Sequence, residues 1–459
     1  MKRRWLALIG LIWLAGCDLP DAMPLNPHES SAKFAAATAS KGHKIRGEEA
    51  GFFRVDKEVP GFGGYYFDED GNLVAYAKEL KKEKEDKLKQ MLDPVLNTNK
   101  GRLKKSTGIV KVKRGDFSFP ELAHWRDQLS DALLGRGMGV RLIDASESQN
   151  RVVVEVASAA AGQYVAAQMA QLSIPDSAVI VLEGDYAVFV PESPGTDFQY
   201  AVQDTIGLVG GDAIWDPYGQ QWDPNSKGPT RCTLGFVAHQ DGKTVLVTDS
   251  HCSKDWNSSG ADGTPFYTYY GVGGQLYGKL GVETADRSFH DYCPAFSLWG
   301  LLPSLARWCR NADAALITYA PDASAPPVGY GYIRRFLRTN PDADAYRYSN
   351  YYLETDRNNP LRIGARNVTR EGEVLSKSGQ TTGWTQGTIT KTCVDMELAS
   401  YSAEIGIGPF VYSCQHGGYY QSSAGDSGAP VWAATTDGGA DLRGIHWGYR
   451  YPGLFTTAG

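Results

Sequence analysis

The chain has 459 residues, with 46 lysines and arginines against 52 aspartates and glutamates, a formal net charge of −6 and 42% hydrophobic residues. That apolar content excludes wholesale disorder, and the mild acidity gives no electrostatic case for a nucleic-acid partner, which would want a basic face. The 52 glycines, set beside 25 tyrosines, 16 phenylalanines and 11 tryptophans, favour turn-rich β structure over a helical bundle.

The chain opens with Lys2, Arg3 and Arg4, continues through an apolar run from Trp5 to Trp13, and reaches Leu14-Ala15-Gly16-Cys17. This basic–apolar–small pattern predicts an export segment over residues 1–16, too short to span a bilayer as a mature helix. Leu14 to Cys17 resembles the lipobox of bacterial lipoproteins. The resemblance implies cleavage before Cys17, acylation of that cysteine and anchoring in the membrane of a bacterial cell envelope, facing the periplasm or the exterior. Each buried acyl CH₂ would contribute about 0.8 kcal/mol to that anchoring. A signal peptide with a chance cysteine is the plainer alternative. Residues 17–50 read as a tether.

Residues 51–190 read as an α+β region. A hairpin is expected across Tyr65-Tyr66-Phe67 and Leu73-Val74-Ala75-Tyr76, joined by an Asp-Gly turn. Asp68 and Asp70 could be taken for calcium ligands, but the following spacing lacks the acids that a calcium loop needs. Leu80, Leu88, Met91, Leu92 and Val95 form one helical stripe opposite a Lys/Glu-rich solvated face. Gly108 to Lys113 reads as a strand. Ser118-Phe119-Pro120-Glu121 is a capping box with an early proline, opening a helix that buries Leu122, Trp125, Leu129 and Leu133. A second hairpin is predicted from Val140 to Ile143 and from Arg151 to Val156, then a helix over 158–172 and a strand from Val179 to Leu182. No catalytic grouping stands out here, and His124 reads as structural. The region would serve as a pro-region or as an accessory domain.

Pro191 to Asp197 has the composition of a linker, taken here as 191–203. Beyond it, over 204–459, short strands alternate with Gly, Asp, Asn and Pro, as in an antiparallel barrel or sandwich. Examples are Leu234 to Ala238, Thr244 to Thr248, Ala314 to Tyr319, Thr385 to Thr390 and Pro430 to Ala433. Six cysteines remain besides Cys17, and all fall here. An even count in an exported chain predicts disulfides, with fifteen possible connectivities. Nearest-neighbour pairing is favoured: Cys232–Cys252, Cys293–Cys309 and Cys393–Cys414. Each would close a loop of about 16 to 21 residues, worth about 3 kcal/mol on the chain-entropy model. The absence of a C-x-x-C pair argues against a structural zinc site. No metal or other cofactor is called for.

The strongest chemical signal is Ala424-Gly425-Asp426-Ser427-Gly428-Ala429-Pro430-Val431. A serine hydroxyl is a poor nucleophile unless a base takes its proton and donors stabilise the oxyanion that develops. Glycines around Ser427 permit a sharp turn, which makes the N–H groups of Gly425 and Ser427 candidate oxyanion donors. Upstream, Val245-Leu246-Val247-Thr248-Asp249-Ser250-His251-Cys252 ends a strand on a histidine. Asn311-Ala312-Asp313-Ala314-Ala315-Leu316-Ile317 places an acid before an apolar strand. Such an acid can hold an imidazole in the right tautomer and stabilise its charged form. Asp291 and Asp322 are the competing acids.

The order His…Asp…Ser, with these motifs, resembles the chymotrypsin/trypsin-like serine proteases, most closely bacterial members of the α-lytic protease and streptogrisin type. The resemblance covers residues 204–459. It also rests on Cys232-Thr233-Leu234-Gly235-Phe236, on Ser376-Lys377-Ser378-Gly379-Gln380-Thr381-Thr382-Gly383 and on Gly444-Ile445-His446-Trp447-Gly448. It implies an all-β catalytic domain of two antiparallel six-stranded barrels with the site between them, after the smaller α+β domain. By the same resemblance Ser427 is the nucleophile, His251 the general base and acid, and Asp313 the orienting acid. Cys232–Cys252 matches the family's disulfide beside the histidine. Gln421, His446, Trp447 and Gly448 fall where the family binds substrate. With Gln421 in place of an acid, cleavage after Lys or Arg is disfavoured, and an apolar or aromatic residue before the scissile bond is expected.

Three departures stand out. Asp249-Ser250 replaces the small residues that the family places before its histidine. Ala429 replaces a glycine. The sequence ends 32 residues after Ser427, short of the family's last helix. No strong Ile-Val-Gly-Gly start is found near residues 203–212, so Lys377 is the candidate internal partner for Asp426. The reading is an exported, lipid-anchored serine endopeptidase acting on polypeptides, with its own N-terminal region as an intramolecular inhibitor or folding assistant. A catalytically inactive, protease-like envelope binding module is the alternative, and a structural envelope lipoprotein a third.

Overall fold

A computed structural model describes residues 46–99, 103, 108–184, 189–191, 207–217, 230–253, 261–269, 276–286, 308–337, 355–356, 358–398, 410–450 and 454–458. Cys17 and the tether up to residue 45, the linker after Pro191, Cys293 and Asp291 lie outside these residues. Among the described residues no helix is long and apolar enough to cross a membrane.

The N-terminal elements form largely where local pattern places them. Strands Phe62–Phe67 and Leu73–Ala77 pair antiparallel, and Val110–Arg114 adds in parallel. Asp68 spends its carboxylate on the turn, accepting from the backbone N–H of Asp70 and of Asn72 at 3.0 and 2.8 Å. That is the work of an Asx turn. Helix Lys82–Asn99 turns Leu88, Leu92 and Leu96 inward. Leu80 departs from the expected stripe: it precedes the helix and is 48% exposed. Helix Phe119–Leu133 begins with the predicted capping box, Ser118 Oγ accepting from Glu121 N–H and Glu121 Oε2 from Ser118 N–H. Helices Phe119–Leu133 and Ala159–Leu172 help to bury the apolar side of strands Val140–Ser146 and Arg151–Val156 in a core that includes Phe52, Phe119, Leu122, Leu129, Val152 and Val165.

The body is mostly β. One sheet has seven strands, in the order Thr230–Thr233, Ala213–Asp216, Pro265–Tyr269, Leu276–Asp286, Ala315–Tyr319, Lys243–Thr248 and Phe236–Gln240. In the second, Phe410–Tyr419, Leu454–Ala458, Ala440–Arg450, Pro430–Ala434, Val374–Gly379 and Gly383–Leu398 pair in that order, and Phe410–Tyr419 also pairs with Gly383–Leu398. Among the described residues the seven-stranded sheet is an open path, so the described pairings do not draw two closed barrels of six.

The N-terminal region does not stand apart from this body. Val140–Ser146 pairs antiparallel with Gly383–Leu398, through Ile143 opposite Asp395 and Leu142 opposite Met396. The second sheet therefore runs on into Arg151–Val156 and Val179–Glu183. Leu142 enters the core of Val394, Met396, Tyr412 and Trp447, while Cys309 and Val411 enter the N-terminal core. Sequence pattern marks strands but not which distant strand joins them, so this junction had no local signal.

Candidate active site

Strand Lys243–Thr248 runs between Phe236–Gln240 and Ala315–Tyr319, with Thr248 opposite Ala315. That register brings the approach to Ala315 beside the residues that follow Thr248. A 3₁₀ turn, Ser250–Cys252, carries His251. The Cys232–Cys252 disulfide ties the turn to strand Thr230–Thr233, as the resemblance implied. Its sulfurs are the cysteine atoms beside His251 and, being joined, offer no thiolate to a metal.

Asp313 is buried and meets the histidine twice. Its Oδ2 lies 2.7 Å from His251 Nδ1, and its Oδ1 accepts His251 N–H at 3.1 Å. The buried Arg310 guanidinium donates to the same Oδ1. Burial pushes the Asp313 carboxyl up. The charges of His251 and Arg310 and the hydrogen bonds from His251 outweigh it, holding Asp313 down at about 2. On the other ring nitrogen, His251 Nε2 lies 2.8 Å from Ser427 Oγ. The structure thus brings together the three residues taken from separate motifs. Asp322, a competing acid, lies elsewhere, accepting from Lys279 N–H.

The turn bearing Ser427 is fixed from three sides. Thr233 N–H donates to Ser427 C=O at 2.7 Å, and Thr233 Oγ1 donates to Gly425 C=O at 2.8 Å. Gly428 N–H donates to His446 C=O at 2.8 Å and to Asp249 Oδ2 at 2.6 Å. Gly425 and Gly428 have φ of 98° and 86°. A side chain at Gly428 would run into the Thr233 carbonyl and the Thr248 hydroxyl. Asp426 accepts from Lys377 Nζ at 2.5 Å, from Thr382 Oγ1 at 2.6 Å and from the N–H groups of Thr381 and Thr382. Burial works against its ionised form, but the Lys377 charge and these hydrogen bonds hold the carboxyl below its usual range.

The residues assigned to substrate binding are placed unevenly. Gln421 is half-buried before the Ser427 turn. His446 is buried, with Nδ1 3.3 Å from the Tyr420 hydroxyl, and its N–H donates to Ala429 C=O. Trp447 sits in the core: it is buried edge-on to Tyr412 at 4.7 Å and donates to Gln415 Oε1 at 2.9 Å. Its side chain is large and apolar with one donor, and that donor is satisfied inside. Backbone pairing puts Gly448 opposite Pro191, where Phe189–Pro191 runs antiparallel to Gly448–Arg450. His416 is buried, and burial first, then the charges of Arg370 and Arg443, push its imidazole down to about 3.

Sequence reasoning missed Arg310, whose role shows only once Asp313 is in place. Its spacing three residues before an apolar-strand acid was the available signal. Asp249 stands out in the sequence as a departure from the family, but its contact with Gly428 shows only in the structure. Cys393–Cys414 forms as predicted, and Cys309 is disulfide-bonded.

No family model matches the chain, and no curated protein matches it. Among solved structures, the chain is similar to a glutamic acid specific serine protease at 21% identity, covering 55% of this chain and 92% of that one with a TM-score of 0.32. It is similar to Thermobifida fusca Protease A at 15% identity, covering 55% and 91% with a TM-score of 0.31. It is also similar to the Nocardiopsis protease NAPase at 18% identity, covering 55% and 92% with a TM-score of 0.30.

Proposed function

We propose that the protein is a serine endopeptidase that hydrolyses polypeptides through an acyl-enzyme on Ser427. The observation that carries this reading is the buried line Asp313–His251–Ser427, with contacts of 2.7 and 2.8 Å. His251 Nε2 takes the Ser427 proton as Oγ attacks the scissile carbonyl, and the N–H groups of Gly425 and Ser427 stabilise the oxyanion. His251 then gives its proton to the leaving amine. A water, deprotonated in turn by His251, hydrolyses the ester and frees Ser427. Asp313 stays ionised throughout and holds the imidazole in the tautomer that leaves Nε2 to accept.

In this reading the two sheets of the body correspond to the two halves of a chymotrypsin-like fold. The seven-stranded sheet supplies His251 and Asp313, and the second sheet supplies the Ser427 turn. The Lys377–Asp426 pair takes the place of a freed N-terminus in shaping that turn, so maturation needs no new α-amine. Gln421 lies by the pocket for the residue before the scissile bond, and an apolar or aromatic side chain fits it better than a cation.

The protein is made as an exported precursor, acylated at Cys17 and held at the cell envelope. Its N-terminal region blocks the site and assists folding of a body rich in non-local contacts, which on its own would fold slowly. The antiparallel pairing of Phe189–Pro191 with Gly448–Arg450 supports the block, because it takes up the strand edge beyond His446 on which substrate would lie.

The test is a fluorophosphonate probe with intact-mass readout on the exported chain and its Ser427→Ala variant. One adduct on the wild type and none on the variant is expected, with the labelled species reporting whether the N-terminal region has left. A folded, fully processed wild type that takes no adduct would make the protein a non-catalytic binding module instead. No adduct on an unprocessed chain would mark a latent precursor.

A further inference from the structure

The proposed triad carries more charge than three residues supply. The Asp313 carboxylate is shared: one oxygen faces His251 Nδ1, and the other takes the buried Arg310 guanidinium together with His251 N–H. Arg310 also faces Asp286 at 3.6 Å, and Asp286 in turn accepts from Ser250 Oγ at 2.6 Å. A cation therefore stands directly behind the acid expected to balance a charged imidazole. On another side of the ring lies a second carboxylate. Asp249 is fully buried, and its Oδ2 sits 3.9 Å from His251 Nδ1. That is too far for a hydrogen bond but close for two charges in a dry site. The same oxygen accepts Gly428 N–H at 2.6 Å, the amide immediately after the nucleophile. Thr248, one residue earlier, donates to the Thr233 carbonyl at 2.9 Å, and Thr233 in turn binds the Ser427 carbonyl.

We infer that Asp249 is a positioning residue of this site: its carboxylate fixes the Ser427 turn against His251 and adds the counter-charge that the imidazolium needs beside Asp313. The inference rests on the protease reading above. The imidazolium that forms when Ser427 gives up its proton faces two carboxylates, Asp313 and Asp249. Behind Asp313 stands Arg310, with the Tyr412 ring 5.3 Å from its guanidinium, and Asp286 meets Arg310 and the Ser250 hydroxyl. Removing the charge of Asp249 alone leaves Asp313 partly cancelled by Arg310, so the protonated base loses stabilisation while the neutral base does not.

The test uses the full chain, expressed with its own export segment and allowed to mature, with a peptide ester and the fluorophosphonate probe. Asp249→Asn keeps an oxygen for Gly428 N–H and removes the charge. Asp249→Glu keeps the charge. Asp249→Ala removes both. Asp249→Asn is expected to lower kcat about tenfold with KM unchanged and to displace the acid limb of the kcat/KM profile to lower pH. Asp249→Glu retains the wild-type acid limb, and Asp249→Ala falls further, about a hundredfold, as the turn drifts from the base. A folded Asp249→Asn protein with the wild-type kcat and pH profile overturns the inference and leaves the protease reading intact. A wild-type chain that matures yet neither hydrolyses the ester nor takes the probe overturns the protease reading and this inference with it.

Discussion

Residues 46–184 and the body from residue 207 onward bury different chemistry. The N-terminal core is mainly aromatic and aliphatic, Phe52 lying between Phe62, Tyr65 and Phe119 with ring centroids 4.6 to 6.0 Å apart, and the region buries an ion pair, Arg126 on Glu49, beside Asp127 and Arg46. Around Ser427 the body buries Lys377 against Asp426, Arg310 against Asp313, and Asp249 beneath Gly428. Burying a charge is unfavourable unless partners compensate closely, and what sets the Ser427 surroundings apart is that three such charges gather around one turn. Where the regions meet, the second kind of chemistry returns. Arg46 forks onto both oxygens of Asp395 at 2.7 and 2.8 Å, and Lys391 faces Asp144 and Glu155 at 3.7 and 3.4 Å. The N-terminal region is thus built like an ordinary small domain and attached like a partner.

The contrast breaks most sharply at Lys377. Lys377→Met leaves Asp426 charged and buried without its cation, which costs about 3–5 kcal/mol. Thermal unfolding should register that loss, and probe labelling of Ser427 should fall by at least as large a factor, because Thr381, Thr382 and the turn share the same carboxylate. Labelling that survives unchanged would detach the ion pair from the site.

A smaller effect is expected from pH at the junction. Burial raises the carboxyl of Asp144 to about 6, against the pull of Lys391 and Arg126. Burial also raises Glu371 to about 7, against hydrogen bonds from Ser148. Carboxyls raised in the docked state favour docking while protonated. Their contribution is whole below their ordinary range near 4 and is lost as pH climbs through 6 and 7. Asp395 works oppositely: burial is overcome by Arg46, its carboxyl is lowered, and its contribution disappears under acid below about 4. Docking should therefore be tightest on the mildly acidic side. In the Ser427→Ala chain, the melting of the N-terminal region should move to lower temperature between pH 5 and 8. Glu371→Gln should flatten that dependence, and an unchanged slope in this variant would remove Glu371 from the account.

The smallest effect belongs to the region whose structure is most local. Ser118→Ala removes one capping bond from helix Phe119–Leu133 and should cost about 1 kcal/mol, read as a shift in the N-terminal melting step. Labelling of a mature chain by the probe should not change. A loss of labelling would mean that the two regions stay coupled after maturation.

Legibility followed the same divide. The capping box at Ser118, the hairpin at Asp68 to Gly71 and the helix stripe from Leu88 to Val95 could be read because each depends on residues a few positions apart. The candidate triad could be read because turn glycines and strand ends mark reactive side chains locally, and Lys377 because its motif fixed its place relative to Asp426. Contacts that join remote segments could not be read. Nothing near Arg310 announces the register that sets it on Asp313, and nothing near Leu142 announces Met396 as its neighbour. Trp447 misled for a related reason: a strand alternates its faces, and one-residue knowledge of register decides whether a tryptophan lines a cleft or fills a core.

The junction strand Gly383–Leu398 has a consequence for the protein's later life. Near Asp395 and Met396 its outer edge is covered by Val140–Ser146. On the proposed reading, departure of the N-terminal region would uncover backbone donors and acceptors at Asp395 and Met396, an edge that could recruit strands from other chains and that the irregular register between Ile389 and Met396 blunts. On the proposed reading, maturation would then trade an inhibitor for adhesiveness. The proposed anchor at Cys17, by keeping copies dispersed on a membrane surface, or continued binding of the N-terminal region after cleavage, would protect such a mature form from self-association.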